Sequence, residues 1–210
     1  MNGQESYLST KLYSVIQERN LEKVKFLIES GADVNEKNNS NFAPIHFAIL
    51  TGDLRFLKIV VEHGADLDAQ DLRGYTALHL AVLNNDLKAA DYLISNGANI
   101  SITGKSGLSP LQHSFHNNSE EMFKLLIKEA NQLTKDKLLI QATEIENTSM
   151  IEILLDNEAN AEARNVDMNR LNAASWVFGP HFANEIVNRS CLEIALKHNI
   201  DLFKMINFLK

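Results

Sequence analysis

The chain has a single cysteine, Cys191, in 210 residues. It therefore cannot close an internal disulfide, and nothing in it calls for an oxidising compartment. Long apolar runs are missing too: no stretch approaches the ~20 residues that a membrane helix needs. The opening MNGQESYLSTKLYSVIQERN holds neither an apolar segment nor a small-residue cleavage site, so it does not read as a signal peptide. A basic surplus is also absent. The 20 Lys and Arg stand against 27 Asp and Glu, a net charge of −7, and no Lys/Arg cluster offers a general phosphate-binding surface. No nucleic-acid or membrane partner is expected, and the expected location is cytoplasmic. What remains, 45% apolar and 22% charged, is the composition of an ordinary folded domain.

The positive signal is a repeat. GADVN at 31–35 returns as GADLD at 64–68 and GANIS at 97–101, so Gly31, Gly64 and Gly97 stand 33 residues apart. APIHFA (43–48), TALHLA (76–81) and SPLQHS (109–114) keep the same register. Weaker echoes follow in EANQL (129–133) and EANAE (158–162). Within each unit a Ser, Thr or Pro sets up a helix start, since proline is tolerated in the first turn. A short helix ends at TGD (51–53) or NND (84–86), and a second helix such as LRFLKIVVEHG has apolar residues at helical spacing. Glycine then supplies the left-handed cap. Each helix pair leaves an apolar face that only its neighbour can cover, so the units must stack.

These motifs resemble the ankyrin repeat, whose pattern is roughly G-x-T-P-L-H-x-A, two helices, then G-A-D-x-N. The resemblance is strongest over 42–115, fair over 7–41 and 116–163, and rests on SCLEIALKHN alone in 164–210. It implies an all-α fold: an ankyrin-repeat solenoid of about six helix-turn-helix units with short hairpin tips. Repeats one to five are expected in 1–163, an insertion in 164–184, and a last, apparently truncated repeat in 185–210. The fifth unit is stripped, because QLTKDKLLIQAT enters its helix without a hairpin tip.

The family mostly binds other proteins through the tips and the inner face of the first helices. By register, the position before the helix-start motif is Phe42, Tyr75 and Leu108, and the position two after the motif alanine is Leu50, Leu83 and His116. Leu72 and Arg73 lie beside Tyr75 at a tip. Two readings of this ladder stand side by side: anchors for a protein partner, or side chains that fold over the tips and shield the packing between units. A second surface is electrostatic. From Leu138 to Ala163 there is no Lys or Arg, while Glu144, Glu146, Glu152, Asp156, Glu158 and Glu162 are present. That run is either a solvated face or a steering field for a basic partner.

Other signals fall away. GANISITGKSG approximates a phosphate loop, but Asn99 stands where its first glycine belongs, and the register places the segment at a hairpin tip. His46 and His79 fill the motif histidine, which in the family hydrogen-bonds neighbouring loops, and Gln112 replaces it in unit four. The remaining histidines have no spacing suited to zinc. Cys191 and His198 sit two helical turns apart, about 10 Å, too far for a nucleophile–base pair. No catalytic residue, cofactor or metal is expected. The insertion NVDMNRLNAASWVFGPHFAN (165–184) reads as a small satellite core around Trp176, and the last helix, DLFKMINFLK (201–210), is too apolar for a polar end cap. Self-association through 201–210 is one way to cover it. The expectation is thus a protein–protein interaction module with an unidentified protein partner. The alternative is a targeting domain of a larger enzyme or of a bacterial host-directed effector, with activity outside this chain or near 165–191.

Overall fold

A computed structural model of the chain describes residues 3–161, Ile194 and Leu196–His198. The insertion at 165–184, Cys191 and the last helix at 201–210 lie outside the described residues. Those described form α1 (Gly3–Gln17), α2 (Leu21–Glu29), α3 (Pro44–Leu50), α4 (Leu54–Glu62), α5 (Ala77–Leu83), α6 (Leu87–Ser95), α7 (Pro110–His116), α8 (Glu120–Ile127), α9 (Gln132–Glu144) and α10 (Thr148–Asp156). None of these helices is long and apolar enough to cross a membrane. The chain divides within α8 into two compact units, Met1–Leu125 and Leu126–Lys210.

In the first unit the helices pair as α1 with α2, α3 with α4, and α5 with α6. First helices touch in the order α1, α3, α5, α7, while second helices touch in the order α2, α4, α6. The sequence supplies the punctuation for this row. Asn20, Asp53 and Asp86, each 33 residues apart, cap α2, α4 and α6 by accepting the N–H of Lys23, Arg55 and Ala89. The residue before each cap takes the left-handed conformation that reverses the chain: Arg19 (φ 56°), Gly52 (φ 67°) and Asn85 (φ 52°). Second helices end on Gly31, Gly64 and Gly97, at φ 95°, 85° and 92°. Phe56, Leu57, Leu78 and Leu93 are completely buried between helices, each contributing roughly 1.5–3 kcal/mol relative to exposure.

Between each second helix and the next first helix the chain extends into a finger, over 34–42, 67–75 and 100–108. Inside the first finger Asn38 Oδ1 accepts the N–H of Ser40 and Phe42, at 2.9 and 3.0 Å. Asp71, one repeat later, accepts those of Arg73 and Tyr75, both at 2.8 Å. Fingers are also stitched to one another. Asn41 Nδ2 donates to the Gln70 carbonyl (2.9 Å), Lys105 N–H donates to the Arg73 carbonyl (2.8 Å), and Gln70 Nε2 reaches Thr103 O (3.3 Å). Asn35 bridges successive turns in the same way, accepting from Asp66 N–H and donating to Gly64 O.

The second unit contains α9 packed on α10. Only residues 128–131 separate α8 from α9, so no finger precedes it, and α9 runs for 13 residues where α3, α5 and α7 have seven. Asn131 and Asn147 cap its two helices. Lys197 Nζ lies 2.9 Å from both Glu152 and Asp156. The acidic run that stands out in the sequence is therefore offset at two of its carboxylates.

Candidate functional site

The buried histidines organise the finger bases. His46 Nδ1 accepts the Ala43 N–H at 3.0 Å, which leaves the ring hydrogen on Nε2, facing the Tyr75 carbonyl of the next unit at 3.1 Å. His79 repeats the arrangement on Thr76 N–H (3.1 Å) and the Leu108 carbonyl (3.3 Å). Burial lowers the pKa of both, and that of His79 to about 4; the carbonyl contact of Leu108 opposes the shift and the neighbouring His113 adds to it. In unit four Gln112 Oε1 accepts the Ser109 N–H at 2.9 Å, so it takes over the histidine's acceptor role. In unit one the equivalent position is Tyr13, whose hydroxyl donates to the Glu36 carbonyl. Burial, aided by the Glu36 and Asp33 carboxylates, pushes its pKa up to about 12.

On this base the first helices and fingers of the first unit present three rows in register. The finger row is Phe42, Tyr75 and Leu108, the middle row Phe47, Leu80 and His113, and the lower row Leu50, Leu83 and His116. The finger row is half-buried rather than exposed. Phe42 folds back onto His46 and Phe47, with ring centroids at 5.4 and 5.6 Å. Tyr75 stacks on His79 (5.1 Å, interplanar 11°) and meets the edge of His113 at 5.6 Å. The reason is the shape of the finger, which delivers these rings onto the start of their own helix. The lower row is open: Leu50 is 52% exposed and Leu83 41%, with His116 exposed beside them. Leu72, at the finger tip, is 55% exposed.

Arg73 adds a cation to this surface. Its guanidinium lies 4.9 Å from the Tyr75 ring centroid and pairs with Asp71 at 3.0 Å. Burial works to raise the Asp71 pKa, but the Tyr75 N–H and the Arg73 guanidinium and N–H outweigh it and hold the carboxyl below its usual range. The glycine of the phosphate-loop-like stretch has a different explanation. A Cβ on Gly104 would stand 2.6 Å from Tyr75 Cε1, so Gly104 is the floor on which the tyrosine ring rests.

All eight residues singled out as partner-binding thus fall in the first unit, in the fingers or the first helices. Sequence reasoning missed the middle row. Phe47, Leu80 and His113 repeat at the same 33-residue interval but look like ordinary core positions of an amphipathic helix. Only Phe47 of the three is half-exposed. His113 is buried with no hydrogen-bond partner for Nε2 among the described residues. Phe26, on the second helix α2, is 66% exposed. Among the described residues no group of three or more His, Cys, Asp or Glu is placed to hold a metal ion.

Comparison with known proteins follows the repeats. A family model described as "Ankyrin repeats (3 copies)" matches residues 12–104, and one described as "Ankyrin repeats (many copies)" matches 84–127. Among curated proteins none matches. Among solved structures, the ankyrin repeat domain of Bcl-3, described as a unique member of the IkappaB protein family, superposes with a TM-score of 0.67. The identity is 23%, over 90% of this chain and 84% of that one, a likeness of fold.

Proposed function

The chain belongs to the ankyrin-repeat family, and from that premise we propose that it is a recognition module, not an enzyme, which binds a protein partner along its fingers and first helices. Ankyrin repeats are protein–protein interaction modules, and this chain acts as an adaptor in the same sense. The observation that supports the choice of face is the open lower row: Leu50 and Leu83 occupy the same register position, both are large and apolar, and both are exposed. Stacking of repeats covers the flanks of each helix pair but not this edge, so water meets leucine unless a partner displaces it. Leu72, Arg73 and the half-exposed Phe42 and Tyr75 extend the strip toward the finger tips, with Leu108 and His116 continuing it into unit four.

The mechanism is rigid presentation. Finger-to-finger hydrogen bonds and the histidine braces fix the anchors before the partner arrives, so binding orders few side chains and little affinity is lost to entropy. Aromatic and Arg residues in such a setting are the ones whose truncation usually costs most, often about 2 kcal/mol or more. Affinity capture with the wild-type chain and with a Phe42→Ala/Tyr75→Ala/Leu83→Ala variant tests the reading. The variant, folded by circular dichroism, loses the proteins that the wild type retains. An unchanged set of captured proteins contradicts the assignment of this face.

A further inference from the structure

The charges around the strip say what kind of partner it suits. The rows themselves hold no Asp, Glu, Lys or Arg at positions 42, 47, 50, 75, 80, 83, 108, 113 and 116, in a chain with 22% charged residues. At the finger edge the exposed charged side chains are Lys37, Arg73 and Lys105, one per finger. The acids of the same fingers are withdrawn: Glu36 and Asp68 are half-buried, and Asp68 Oδ1 accepts the Asn99 N–H at 2.9 Å.

The Arg73–Asp71 pair shows the asymmetry most clearly. The Asp71 carboxylate is 0% exposed and the Arg73 side chain 58%, so an approaching molecule meets the cation. Asp71 engages Nε and Nη2 of the guanidinium, which leaves part of its five-donor fork available. Lys105 makes no ion pair among the described residues, and Lys37 Nζ touches only the Gln70 carbonyl, at 3.3 Å. Along the lower edge the carboxylates are already occupied. Asp53 caps α4 and pairs with Arg55, and Asp86 caps α6. Asp33 and Asp66, exposed in the turns that leave the second helices, accept the N–H of the residue two further on. A protein with a net charge of −7 thus shows exposed cations along the fingers that border its apolar strip.

We propose, building on the binding face assigned above, that the partner segment is acidic as well as apolar: its large apolar side chains seat among Phe42, Leu50, Tyr75 and Leu83, and its carboxylates meet Lys37, Arg73 and Lys105. The anchors set the spacing of that segment. Neighbouring rungs lie about 10 Å apart, the distance between packed helices, so apolar residues on the partner recur about every third residue if it is extended or every seventh if it is helical. The cations chiefly accelerate and orient docking, and the leucines and aromatics hold the complex.

Selection of a displayed random-peptide library on the full 210-residue chain tests this directly. The selected peptides are enriched in Asp and Glu beside large apolar residues. Converting the acids of one such synthetic peptide to Lys weakens its binding about tenfold or more at low salt, and the Lys37→Glu/Lys105→Glu variant reverses the preference. Selected peptides with no acidic excess, or a charge preference that the double reversal leaves unchanged, overturn the inference while the strip stands. A Leu50→Asp/Leu83→Asp variant, folded by circular dichroism, loses the peptides altogether. If it retains them, or if no peptide is selected at all, the binding face is wrong as well.

Discussion

Tyr75 occupies a position where the chain turns toward water, yet its ring is held by three neighbours: His79 stacked on it, His113 at a right angle to it, and the Arg73 guanidinium 4.9 Å from its centroid. Gly104 completes the seat, and this makes a sharp prediction. Gly104→Ala places a methyl 2.6 Å from the ring and destabilises the chain by about 1–3 kcal/mol, the usual cost of overpacking. In a Tyr75→Ala background most of that cost disappears. A double-mutant cycle from urea denaturation reads the coupling; additive effects contradict the described contact. The histidines make a second prediction. Because burial lowers the His79 pKa from its ordinary 6.5 to about 4, the folded chain binds fewer protons than the unfolded chain between those values. The stabilisation is whole above pH 6.5 and is lost as the pH falls to 4. His79→Gln keeps an acceptor for the Thr76 N–H, as Gln112 does for Ser109. The acid dependence of its denaturation midpoint in that window is accordingly shallower than that of the wild type, and an identical slope contradicts the assignment.

At the scale of the element, the turns carry the repeat. Gly97 has φ 92°, and a Cβ there would meet nothing within 4 Å, so Gly97→Ala isolates the cost of the left-handed conformation, about 1 kcal/mol. Asp86→Ala removes the α6 cap and costs about 1 kcal/mol. Thermal or urea denaturation measures both, and neither substitution alters an exposed residue of the strip. These elements were legible from the sequence because glycine, Asp/Asn caps and the helix-start motif recur every 33 residues, each with its own local physics. Unit five shows the limit of that legibility. The EANQL echo marks a repeat boundary, yet no φ above zero is found at Glu129, where the glycine of the motif would stand, and the long α9 follows directly on its cap, Asn131. The interactions across fingers were not legible. Nothing in the sequence says that Gly104 lies under Tyr75 or that Asp71 hides behind Arg73, because both facts depend on how neighbouring units meet.

For the whole molecule, two compact units are described, and the strip belongs to the first. The register gave the positions Phe42, Leu50, Tyr75 and Leu83 before any coordinates. It did not give their exposure, which the fold sets by turning the finger row inward and leaving the lower row open. On the proposed reading a protein partner covers this strip and leaves the second helices free. Amide hydrogen exchange of the chain, alone and saturated with a partner obtained by capture, tests that most directly. With the partner bound, exchange slows in the fingers and first helices, over 35–50, 68–83 and 101–116, while α2, α4 and α6 are unchanged. Protection confined to α2, α4 and α6, with the fingers exchanging as in the free chain, would contradict it.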